Sequence, residues 1–170
     1  MALTGEGSGP AVPTAAPREG GPARVVGAVV MGALLLIGLL HGVWAVSTWP
    51  LSGREDFARL VVGVEVKDLP SAGMTAGVAL LLLVAGYLVG AVAGLLPRVG
   101  PNWLGRLGVG VVAGVLLLRG VGGLAADLFS PGYAPADFVR LDRIVYSPLC
   151  VVLGLGAAWV VVRALGSRRE

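Results

Sequence analysis

The 170-residue sequence holds one cysteine, Cys150, and one histidine, His41. A single cysteine excludes an intramolecular disulfide, a Cys-x-x-Cys redox pair and a four-cysteine metal site. A single histidine with no second ligand beside it makes no metal-binding pattern, and no metal is expected. Charge is scarce as well, with 14% of residues Asp, Glu, Lys or Arg. None of the four long apolar runs contains a carboxylate, which argues against a proton-coupled carrier relying on an intramembrane Asp or Glu. A phosphate-cradling loop, HExxH and GxSxG are all missing, so the sequence predicts no catalytic residue and no cofactor.

What is present is apolar. Hydrophobic residues make up 56% of the chain and the mean hydropathy is +0.86, a membrane composition. Four stretches, about 25–46, 73–96, 107–126 and 145–165, approach or exceed the roughly 20 residues a helix needs to cross a bilayer. The bilayer core offers no water to backbone groups, so runs this long are helical, and the alternation of a transmembrane barrel is absent. The expected fold class is therefore all-α, an integral membrane four-helix bundle over residues 24–166. Residues 1–23, rich in Gly, Pro and Ala, carry too little apolar surface to offset the entropy of ordering and are expected to be a disordered tail. Val43-Trp44-Ala45 resembles a signal cleavage site, but the apolar run before it exceeds the roughly 7 to 15 residues of a signal core, so an uncleaved helix is expected.

A net charge of +3 does not indicate nucleic acid, because the basic residues are spread thinly at segment ends. Counted on alternate sides of the spans, Arg18, Arg24, Arg98, Arg106, Arg163, Arg168 and Arg169 stand against Arg54, Arg59, Lys67, Arg140 and Arg143. The positive-inside rule then predicts both termini in the cytoplasm. Arginine in place of lysine, with abundant Ala, Gly and Val, points to a bacterial cytoplasmic membrane. The first external connection, 47–72, has Phe57, Leu60, Val61 and Val64 at helical spacing and reads either as a short surface helix or as an irregular loop around RLVVGVEV. Gly86, Gly90 and Gly94 form a ridge in the second span, and Gly38 with Gly42 and Gly110 with Gly114 repeat the spacing. Such ridges let helices approach closely, within the bundle or in a homo-oligomer.

The polar residues inside the apolar runs need an explanation. A charge at the centre of a membrane helix costs about 2.5–3.5 kcal/mol on insertion scales, so Arg119 needs a partner or an exit. It lies about 12 Å below the outer end of its span, and His41 about 8 Å below the outer end of its own, at about 1.5 Å per residue. Thr75, Tyr146 and Cys150 fall in the same outer half. Three fates are open to Arg119. It snorkels to headgroups or carbonyls, it pairs with Asp142 or Asp127, or it holds an anionic ligand such as a lipid phosphate. His41, with Trp44 three residues later on the same face, is a packing residue or a pocket donor. Trp49 and Trp103 sit at interfacial positions, and Tyr146 either joins that belt or directs its hydroxyl to Arg119 or Asp142. Around Ser147-Pro148, either Ser147 caps a helix starting at Pro148 or Pro148 kinks a helix begun near Phe138. Cys150 reads as a small buried apolar residue rather than a nucleophile.

His41-Gly42-Val43-Trp44-Ala45, the spacing from Pro70 to Thr75, Leu117-Leu118-Arg119 with Gly122, and Asp142 followed by Tyr146-Ser147-Pro148-Leu149-Cys150 occur in that order. Together they resemble the domain of unknown function 3995 family of small bacterial membrane proteins, over about His41 to Gly154. The resemblance implies a four-helix membrane protein and supplies no activity. In that family an Asp often follows the glycine that corresponds to Gly122, where this chain has Gly123. The departure removes an i, i+4 partner for Arg119 and shifts the expected partner to Asp142. The resulting reading is a non-enzymatic multi-pass membrane protein with a polar cluster of His41, Trp44, Arg119, Asp142, Tyr146 and Cys150 in the outer half. The alternative is a membrane enzyme or a lipid- or small-anion-binding protein that uses the same cluster as an outward-facing pocket.

Overall fold

The computed structural model describes residues 21–130 and 132–166, with every side chain except those of 127 and 128. Of the tail expected over 1–23, residues 1–20 lie outside the described residues, and Pro22 and Ala23 already belong to the first helix. The chain is an all-helical integral membrane bundle whose four long helices are apolar and long enough to cross a membrane. Among the described residues there is no strand.

The long helices are α1 (Pro22–Trp44), α3 (Ala72–Val92), α4 (Asn102–Phe129) and α6 (Ser147–Gly166), with short α2 (Arg54–Phe57) and α5 (Ala136–Leu141) between them. They alternate in direction. Pro22 and Gly166 therefore share one end of the bundle, here the terminal end, while Trp44, Ala72, Phe129 and Ala136 share the far end. The starts and stops have local causes. Pro22 occupies the first turn of α1, where its missing N–H is no loss. Ser71 caps α3 by accepting the Met74 N–H at 3.2 Å. Gly94, at φ +76°, takes the left-handed turn that closes α3 and returns the Leu95 N–H to the Gly90 carbonyl at 2.8 Å. The second span accordingly ends at Val92 rather than near Leu96, and the third starts at Asn102, five residues before its expected beginning.

The fourth span differs most. Helix begins at Ala136, passes through a π turn over Asp142–Tyr146 and continues as α6, so residues 136–166 form one rod. Pro148 is inside this rod and Ser147 has ordinary helical backbone angles, so the kinked-helix geometry is the one adopted and Ser147 is not a cap. A proline ring collides with the carbonyl four residues earlier, here Ile144, and the wider π turn relieves that crowding without ending the helix. The 47–72 connection is helical over Arg54–Val62, again with a π turn, and irregular afterwards except for one 3-10 turn at Val66–Asp68. Its Phe57 and Ala58 are buried, so this segment packs against its own chain.

Packing is inverted relative to a water-soluble bundle. The core is built from Val30, Leu34, Ala85, Val89, Val109, Ala113, Leu153, Ala157 and Val160, nearly all small, while Leu36, Leu81 and Leu118 are 69–76% exposed on the outside. Lipid tails solvate leucine well, so close backbone approach takes over as the source of cohesion. Gly86 seats Leu35 of α1, and Gly90 seats Met31. On the other side Gly154 of α6 seats Leu117, and Gly120 of α4 lies under the Ser147 carbonyl and Val151. The molecule is thus two zipped hairpins, α1–α3 and α4–α6, set against each other. The ridge expected on the second span is used by Gly86 and Gly90 within the chain, whereas Gly94 serves the turn; Gly42, Gly110 and Gly114 face open space.

Candidate functional site

Arg119 lies ten residues before the end of α4, about 15 Å along the helix at 1.5 Å per residue. Its Nη2 donates to Asp142 Oδ1 at 2.6 Å and its Nη1 to Ser147 Oγ at 3.3 Å. The Ser147 hydroxyl in turn donates to Asp142 Oδ2 at 2.9 Å. The three side chains close a ring in which each carboxylate oxygen has its own donor. Asp142 is 1% exposed and Ser147 is fully buried, while the Arg119 side chain keeps 45% exposure toward the perimeter. A carboxylate so enclosed is tolerable only when paired and hydrogen-bonded, and both conditions are met here.

The sequence produces this ring in two steps. The π turn opposes residues five apart: the Ser147 N–H bonds the Asp142 carbonyl, and the two side chains stack on one face. On the facing helix, Gly123 leaves the necessary gap. A Cβ at that position would overlap Ser147 Oγ and come within 2.5 Å of Arg119 Nη1 and Asp142 Oδ2. The space beside Arg119 that a same-helix side chain would fill is occupied by a carboxylate from the neighbouring rod.

The other sequence candidates are placed elsewhere. Tyr146 sends its hydroxyl to the Leu60 carbonyl at 3.1 Å, not to Arg119 or Asp142, and its ring packs 6.1 Å from that of Phe138. His41 donates from Nδ1 to the Ile37 carbonyl at 2.9 Å, a bond within its own helix, and its ring lies 5.0 Å from Trp44. Trp44 makes an edge contact with Phe57 at 5.4 Å and donates its indole N–H to the Trp49 carbonyl at 3.0 Å. Cys150 is a half-buried free thiol one turn beyond Ser147. The side chain of Asp127, the other expected partner of Arg119, lies outside the described residues. Among the described residues, no three His, Cys, Asp or Glu side chains group as metal ligands.

Sequence reasoning missed three contributors. The sequence presents Ser147 as a cap, although the Ser-Pro pair inside a continuing apolar run marks where a helix must widen. Arg59 pairs with Asp137, its Nε at 2.8 Å from Oδ2, across 78 residues of chain, which no local pattern reveals. Gly63, at φ +79°, brings its Cα against the Phe138 ring, where a Cβ would stand 2.6 Å from the ring atoms. With Tyr146 and Leu60 these contacts fasten the 54–62 segment onto α5, over the triad's end of the bundle.

The span from Leu34 to Ala157 contains every residue of this arrangement, and it matches the model of one family. The chain belongs to the family described as "Protein of unknown function (DUF3995)", matched over residues 34–157. No curated protein and no solved structure matches the chain. The family match takes in all of α3 and α4, the second half of α1, the first half of α6, and both halves of the Arg119–Asp142 pair. It leaves out the start of α1 and the end of α6.

Proposed function

We propose that this chain is a non-enzymatic multi-pass protein of the bacterial cytoplasmic membrane, with both termini in the cytoplasm, in which Arg119, Asp142 and Ser147 fasten α4 to the α5–α6 rod. The observation that carries this reading is the closure of the ring: both oxygens of Asp142 take their donors from within the chain. A catalytic or ligand-binding carboxylate needs an accessible face, and Asp142 is 1% exposed. His41 and Tyr146, which a pocket at this level would require, are committed to backbone carbonyls instead. The seven-to-five arginine and lysine count supports the orientation, and two of the five far-end cations, Arg59 and Lys67, are already paired with Asp137 and Glu65.

A fastener and a working site respond differently to replacement by hydrocarbon. Removing Arg119 alone strands a buried carboxylate, whereas replacing Arg119 and Asp142 together leaves an apolar contact in an apolar bundle. Melting of the purified protein in detergent, measured for Arg119→Leu and for the Arg119→Leu/Asp142→Leu pair, tests the reading. Recovery of most of the lost stability in the pair supports it; a double variant as unstable as the single one overturns it.

A further inference from the structure

At the terminal end, opposite the triad, the two hairpins do not close on each other. A cleft of about 700 Å³ opens between α3, the 93–101 turn, the first turns of α4 and the last turns of α6. Among the described residues its charged lining consists of three arginines, Arg98, Arg106 and Arg163, each from a different element, with no Asp or Glu. The rest of the wall is largely apolar, with Val84 and Leu88 of α3 continuing toward the outside, where Val84 is 47% exposed.

The arginines differ in how they are held. Arg98 uses Nε on the Ala91 carbonyl at 3.1 Å, which fixes the guanidinium and leaves its terminal nitrogens to the cleft. Arg163 stacks over the Trp159 ring at 4.6 Å. Arg106, half-buried one turn into α4, makes no hydrogen bond or ion pair among the described residues. The first turn of the 28-residue α4 adds its positive end to the same space, and no side chain caps it. Arginines near the ends of membrane helices ordinarily reach out to the interface. Here they converge on one concavity whose volume is that of a small-molecule site, with an apolar wall leading out toward lipid.

We propose that this cleft binds an anionic phospholipid from the surrounding leaflet, its phosphate held by Arg106 with Arg98 and Arg163 and its acyl chain lying along Val84 and Leu88. Guanidinium groups match phosphate oxygens in geometry as well as charge, and the headgroup level of a bilayer coincides with the helix ends where the three arginines stand. A soluble phosphate compound would satisfy the arginines but gain nothing from the α3 wall. The proposal is independent of the role assigned to Arg119.

The test is lipid binding to the detergent-solubilised full chain, followed by native mass spectrometry with phosphatidylglycerol, phosphatidylcholine and glycerol phosphate as probes. Phosphatidylglycerol is expected to bind about tenfold more tightly than phosphatidylcholine, and Arg106→Gln to remove about that factor. Arg24→Gln, at the same end but outside the cleft, should leave binding unchanged. Val84→Trp, which narrows the cleft without altering charge, should weaken it. Lipid-free melting temperatures show that each variant is folded, and Arg163→Gln replaces Arg106→Gln if the latter is not. Equal binding of the two lipids, equal loss in Arg24→Gln, or glycerol phosphate binding as tightly as the lipid would each overturn the proposal.

Discussion

Asp142 and Ser147 are five residues apart on one rod, yet their side chains share a hydrogen bond of 2.9 Å. In a regular α-helix, residues five apart point about 140° away from each other. The π turn removes that divergence, and Pro148, which disfavours a tighter turn, stands immediately after it. A covalent feature of one residue thus sets the geometry of a charged site that contains no proline.

Ser147→Ala tests the smallest member of the ring. It leaves Oδ2 of the enclosed Asp142 carboxylate without its donor and takes an acceptor from Nη1 of the half-exposed Arg119. The expected cost is about 1–3 kcal/mol, the usual penalty for an unsatisfied buried polar group. Equilibrium unfolding in detergent micelles reads it; a loss well under 1 kcal/mol would place the weight of the ring elsewhere.

Arg119→Leu should be costlier. The remaining Asp142 carboxylate is nearly fully enclosed, and stranding one member of a buried pair costs about 3–5 kcal/mol. Adding Asp142→Leu should return most of that. The double-mutant cycle, not either single variant, measures the coupling.

Gly123→Ala adds one methyl group and should nonetheless destabilise by about 1–3 kcal/mol, because the new atom falls among three polar groups already in contact. Gly122→Ala, whose Cβ meets nothing within 4 Å, is the matched control and should be neutral or stabilising. Equal effects of the two substitutions would show that helix propensity, and not the ring, governs this turn.

Much of this architecture is legible in the residue order, because the spans follow from apolar length alone and the cost of Arg119 follows from its depth. Gly123 also carries information: with no side chain there, the partner four residues on is removed and Asp142 becomes the expected one. The Ser147 contribution is less accessible, since it depends on how a helix accommodates Pro148 rather than on any periodicity. The positions of His41 and Tyr146 relative to Arg119 are not legible at all. Depth along a helix axis puts residues at one level, but rotation about that axis decides whether they meet, and small residues on several faces leave rotation unspecified.

Tyr146→Phe removes the hydroxyl held by the Leu60 carbonyl while keeping the ring against Phe138. The expected loss is about 1 kcal/mol, with a local effect larger than the global one. Hydrogen exchange over 54–64 should accelerate while exchange in α3 and α4 stays as it was. Uniform acceleration along the chain would show that the segment has no separate opening.

Orientation is testable without purification. A reporter that is active only in the cytoplasm, fused after Glu170, should be active, and one placed in the 47–72 connection should be silent. The reverse pattern would invert the membrane orientation while leaving every contact described above intact.

The π turn also works as a phase adjuster for the whole rod. Above it, Phe138 and Asp142 face inward; below it, Ser147, Gly154 and Ala157 do. The two inward stripes align only because one surplus residue is absorbed between them. Were the turn to tighten to regular α geometry with all its residues kept, everything beyond it would rotate by about 100°, so that valines made for lipid would face the core and the core alanine would face lipid. The facing of all of α6, down to Gly166, thus rests on one widened turn at the far end.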